Sequence, residues 1–160
     1  MNIFLIDKNL KKCAQAHNDK HIVKMILEHV QILCTVLHLR GQGDISPYKA
    51  THSKHPCVMW CNKSRDNWNV LKKLTEYLND EYRFRYKKEI DHKSWTIVST
   101  IDAPMDLPSI GITKFAQAMP EKYKQKSTVE AYRAYYINEK RHLATWKNRE
   151  PPEWWIELEK

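Results

Sequence analysis

Along the chain, apolar residues recur every three or four positions over two long stretches and one shorter one. Between about residues 12 and 40, Ile22, Val23, Ile26, Val30, Leu33 and Leu37 keep helical spacing, and Arg40 followed by Gly41 and Gly43 supplies a basic last turn and a stop. Pro56 suits the first turn of a second helical stretch, 56–87, whose apolar stripe is Val70, Leu71, Leu74 and Leu78. Ser127 or Thr128 caps a third, 128–146, that ends before Pro151 and Pro152. Residues 1–8 hold Ile3, Phe4, Leu5 and Ile6 and read as a short strand or an extended arm tucked against the helices. Residues 88–127, punctuated by Pro104, Pro108, Gly111 and Pro120, read as a long packed loop with room for a strand or short helix near WTIVSTI. The predicted fold is mainly α: a single compact domain of three long helices with an extended N-terminal arm, long irregular loops and a tail over 150–160.

One face of the first helix breaks the apolar pattern. Counting by threes and fours from His17 gives His21, Lys24, Glu28, Gln31, Thr35 and His38, flanked by Met25, Leu27, Ile32 and Cys34. The solvated side of an amphipathic helix has the same look. A carboxylate in so narrow a stripe is partly desolvated, which raises its pKa, while a nearby cation lowers it. The two influences can set Glu28 for acid or base work.

Composition then narrows the partners. The 160-residue chain carries a formal charge of +8 and a pI near 9.3, which favours a polyanion, nucleic acid before an acidic membrane surface. No apolar run reaches the roughly 18 residues a membrane span needs, and the opening MNIFLID is too short for a secretory signal. The chain therefore reads as cytosolic, with Cys13, Cys34, Cys57 and Cys61 as thiols. His52, His55, Cys57 and Cys61 do not match the spacing of a structural zinc site. The two histidines instead read as lining a phosphate or sugar cleft, with Cys57 and Cys61 packing as small apolar groups.

In the third stretch Tyr132, Tyr135, Tyr136 and Trp146 interleave with Arg133, Lys140, Arg141, His142 and Lys147. Basic groups neutralise phosphates while aromatic faces stack on bases, each stack contributing on the order of 1–3 kcal/mol. Most of these aromatics are expected in the core, with one or two facing a ligand. Trp154 and Trp155 are expected to clamp the tail onto the domain.

Asp19-x-His21, followed seven residues on by Glu28 and placed close behind the N-terminal arm, resembles the pyrimidine-dimer DNA glycosylases of phages and algal viruses, the endonuclease V type. Their first helix reads D-Q-H-x6-E. The stretch 54-KHPCVMW-60 is similar to that family's histidine before an aromatic-rich helix, and the likeness runs over about the first 85 residues. The openings MNIF and DKH also resemble those of short phage proteins, implying a viral origin and the cytoplasm of an infected host.

The resemblance implies a DNA glycosylase and abasic-site lyase whose N-terminal amine attacks C1′ of a damaged or modified nucleotide and expels the base. An α-amine titrates near pH 8 and so is a better nucleophile at neutrality than a lysine. Carried over residue by residue, Glu28 takes the role of the helix glutamate that stabilises the Schiff base, His21 that of the neighbouring histidine, and Met1 or Asn2 supplies the amine. His17, Lys24, Gln31, His52, His55, Trp60, Arg133, Tyr136, Lys140 and Arg141 are the expected substrate-binding set.

The expected partner is double-stranded DNA with an extruded base, bound by a monomer without metal or cofactor. Leu27 and Gln31 stand where the family places arginines. Asn2, larger than the family's second residue, is expected to leave Met1 in place. Two other readings share this scaffold: a non-catalytic phage factor that binds nucleic acid or protein, and an enzyme of nucleotide or modified-base chemistry.

Overall fold

Asn18 divides what periodicity alone reads as one helix. In the computed structural model, which describes residues 1–159, α1 (Leu10–Ala16) stops at His17. The Asn18 side chain then accepts the His21 N–H and starts α2 (Asp19–Leu39). The carbonyls of Gln15 and His17, left over at the end of α1, accept hydrogen bonds from the buried guanidinium of Arg85. Gly41, with φ at 73°, closes the far end of α2 where the sequence places the stop.

The second predicted helix is likewise two, α3 (Pro56–Cys61) and α4 (Arg65–Arg85). Ser64 makes the break: its hydroxyl oxygen accepts the Asn67 N–H to cap α4 and donates to the Gly111 carbonyl. The third, α6 (Thr128–Glu139), is capped by Ser127 as expected but ends seven residues before 146. Beyond it the chain turns back onto α2, where Thr145 O accepts the Asp19 N–H and Asp19 Oδ1 accepts the Lys147 N–H. A short helix, α5 (Lys93–Val98), runs into WTIVSTI, and the tail forms α7 (Glu153–Glu159).

Among the described residues there is no strand, and the architecture is mainly α. α2 packs along α4 at the centre, with α1 against α4 and with α3 and α5 against α2. By length and hydropathy α2 could cross a bilayer, contrary to the count of apolar runs, but most of that stretch is buried in the protein. The interior is filled by Ile22, Met25, Ile26, Leu33, Trp68, Leu71 and Leu78, all fully buried. Burial on this scale is what stabilises a chain without disulfides, at about 25 cal/mol for each Å² of apolar surface removed from water.

The N-terminal arm belongs to this core. Ile3, Phe4, Leu5 and Ile6 are buried, and the Leu5 and Ile6 N–H groups reach back to the carbonyls of Ile3 and Phe4 in three-residue turns, so the arm is neither strand nor helix. The loop between α5 and α6 is tied down along its length. Asn67 bonds Thr113, Trp60 Nε1 donates to Thr113 O, and Asn2 Nδ2 donates to Ala118 O. Trp155 is buried against Trp146, as expected of a clamp on the tail.

Candidate functional site

The arm brings the chain's first nitrogen to the middle of α2. The Met1 amine lies 3.3 Å from Glu28 Oε1, and the two side chains are only 5% and 14% exposed. Two anchors hold that position. Asn2 is buried: its Oδ1 accepts the Ile3 N–H and lies 2.8 Å from the Tyr132 hydroxyl, while its Nδ2 donates to Ala118 O. Two residues further on, the Phe4 ring stacks on His21 at 4.7 Å and is flanked by Tyr132, Tyr135 and Tyr136.

His55 joins the recess from α3. Its backbone is extended, and Nδ1 accepts the Cys57 N–H as the cap of that helix. Burial pushes its pKa down, the Met1 ammonium and then His52 push in the same direction, and Glu28 opposes them. His55 thus feels the charges of the amine, His52 and the carboxylate together. His52 is exposed, with its backbone in the left-handed region at φ 49°. The loop before it is pinned to α2, because the Thr51 N–H donates to Thr35 Oγ1 and the Thr35 hydroxyl faces Thr51 O.

The structure sorts the predicted site residues into three groups. Met1, Glu28, His55 and His52 come together, with Gln31 half-buried one turn beyond Glu28 and Lys24 exposed one turn before it. A second group lies by the arm: the charges of Lys140, Lys24 and His142 act on His21, and Lys140 lies over the Tyr135 ring, whereas Arg141 is exposed with its guanidinium over Trp155 of the tail.

The third group is structural, and here the expectations are corrected. His21 is a buried ring under Phe4, its pKa driven down to about 3 chiefly by burial, and it supports the arm. Asn2 anchors the arm through its side chain, and the amine that faces Glu28 is that of Met1. His17 is wholly buried with Nδ1 donating to Cys13 O, and burial lowers its pKa to about 4. Tyr136 is buried, and its hydroxyl accepts the Asn18 N–H. Trp60 is buried and stacked on Phe115. Arg133 is committed to Ile6 O and Asp7. The first three present no free face to a ligand.

Tyr132 is the contributor that sequence reasoning placed only among the core aromatics. Its hydroxyl gathers Asn2, Ala116 and Ala118 into one network. No local pattern marks a contact between residues 2 and 132. Cys57 and Cys61 are buried thiols, their pKa values raised by burial, and they pack as small apolar groups. Among the described residues no three His, Cys, Asp or Glu side chains gather to hold a metal ion. A separate cleft of about 890 Å³ runs between α1, α6 and the tail, but neither Met1 nor Glu28 lines it, and its Arg133 and Arg149 are occupied by Asp7 and Glu81.

Chemically, the recess pairs one primary amine with one carboxylate at hydrogen-bond range, beside an imidazole and below an exposed basic rim. Comparison of the chain with protein-family models, curated proteins and solved structures finds no match.

Proposed function

We infer that this protein acts on DNA as an N-glycosylase and abasic-site lyase, with the Met1 amine as nucleophile and Glu28 as its partner. The observation that carries the reading is the 3.3 Å approach of the Met1 amine to a largely buried Glu28 carboxylate. Glu28 can take the proton that the amine must shed to attack, and its charge then faces the cationic Schiff base formed at C1′. In strand cleavage the same carboxylate accepts the C2′ proton as the C3′–O bond breaks and its electron pair leaves with the phosphate. The formal charge of +8, with Lys24, Lys54, His52 and Arg141 exposed, supplies the attraction for a phosphate backbone.

Borohydride reduction in the presence of a duplex carrying an abasic site tests this directly. The expected result is a covalent protein–DNA adduct that peptide mass spectrometry maps to the Met1 nitrogen. Glu28→Gln is expected to keep duplex binding and to lose cleavage by roughly 10²–10⁴-fold. DNA binding by the wild-type protein without any trapped adduct would transfer the case to a non-catalytic binder, and an adduct confined to a lysine would remove Met1 from the chemistry.

A further inference from the structure

The protonation of His55 is set by the helix it caps. Its Nδ1 accepts the Cys57 N–H at 3.1 Å. A ring nitrogen that accepts a hydrogen bond carries no proton, so in the neutral imidazole the proton sits on Nε2. Burial disfavours the charged ring, as do the Met1 ammonium and His52, and Glu28 is the one opposing charge. Protonating Nδ1 would also break the cap at the start of α3. A neutral ring held this way can donate from Nε2 and cannot accept there, which makes His55 unlike Glu28 in kind.

We propose that His55 is a fixed hydrogen-bond donor that grips a phosphate oxygen of the DNA backbone beside the Met1 amine, and that it takes no part in proton transfer. The proposal rests on the lyase reading of the same recess and divides its labour. Glu28 handles protons, while His55 holds the phosphate on which the electron pair of the broken C3′–O bond is left. A non-bridging phosphate oxygen is the acceptor that fits, because Lys54 and His52 are exposed beside His55 and the one carboxylate near it, Glu28, is paired with the Met1 ammonium. A donor at that oxygen stabilises the departing charge with no change in its own protonation.

Two substitutions separate donation from capping. In His55→Asn the side-chain oxygen can still accept the Cys57 N–H, as asparagine does at helix starts, but no donor remains at the Nε2 position. In His55→Gln the amide reaches that position and the cap is lost. The probe is a duplex with a tetrahydrofuran abasic analogue, which forms no Schiff base and so reports binding apart from chemistry.

His55→Asn is expected to weaken this complex roughly tenfold to hundredfold with the melting midpoint unchanged. His55→Gln is expected to recover part of the affinity, and the pH profile of cleavage should keep the same limbs in wild type and His55→Asn. The ring ¹⁵N shifts of the free wild-type protein at pH 7 are expected to show a protonated Nε2 and a bare Nδ1. A proton on Nδ1, a doubly protonated ring, or a His55→Asn variant that binds as well as wild type overturns the proposal. If wild type binds the analogue but traps no adduct on abasic DNA, the lyase reading fails and His55 is judged by affinity and ring shifts alone. If wild type binds no DNA, both fail.

Discussion

At the scale of single residues, Arg85 is the costliest group to bury and the best satisfied. It is fully buried, and its guanidinium donates to Glu81 Oε2, Asp19 Oδ1 and the carbonyls of His17 and Gln15. Glu81 is held from its other side by two bonds from Arg149. A buried cation is tolerable only when its donors are spent in this way, and deleting it strands the partners. Arg85→Met is therefore expected to lower the unfolding free energy by about 3–5 kcal/mol in a urea titration, and a loss under about 1 kcal/mol would show the cluster to be dispensable. In the sequence Arg85 reads as one more basic residue in a helix's last turn. Nothing local announces that it closes the gap between α1 and α2. Glu28 was legible because a carboxylate among apolar neighbours is a local anomaly, whereas the burial of His21 and His17 depends on what lies opposite them.

At the scale of elements, periodicity located every long helix and missed its interruptions. The breaks at Asn18 and Ser64 cost only two or three residues each, so the apolar spacing runs on across them, and only the capping residues betray them. The end of α6 is set by the contacts of Asp19 with Thr145 and Lys147, far away in sequence. Three buried histidines, His17 and His21 at the α1–α2 joint and His29 in the middle of α2 against Thr75, give these elements a pH signature. Burial holds them to about 4, 3 and 3 in the fold, against about 6.5 in the unfolded chain. The unfolded state thus binds protons that the folded state refuses. Stability is intact above about pH 6.5 and falls as pH drops toward 4, each histidine contributing up to roughly 1.4 kcal/mol per pH unit. Urea midpoints measured from pH 7 to 4.5 should show this decline. His29→Leu should make the slope shallower by about a third; an unchanged slope would place the titration elsewhere.

At the scale of the whole molecule, the excess of positive charge speaks for a polyanion, and the geometry adds where the polyanion would lie. Lys24, Lys54 and Lys140 border the Met1 recess or the arm that forms it, and Arg141 is exposed over Trp155 of the tail. Four phosphate contacts correspond to roughly a hundredfold loss of duplex affinity over a fourfold rise in salt. Fluorescence anisotropy with a short abasic duplex is expected to give a log–log plot of that steepness, and a flat plot would mean that the charge serves another purpose. Charge and fold class were readable from composition and spacing. The meeting of the first residue with α2 was only a conjecture from the sequence, because it depends on a loop of irregular structure whose course no periodicity encodes.

The seating of Asn2 on Ala118 and Tyr132 sets an order of events during synthesis. Asn2 must wait for partners made more than a hundred residues later. A nascent chain paused before Tyr132 has emerged holds Met1, Glu28 and His55 already translated but lacks the clasp that brings the amine to its carboxylate. The contact between the α-nitrogen and Glu28 should thus arise only once most of the polypeptide exists.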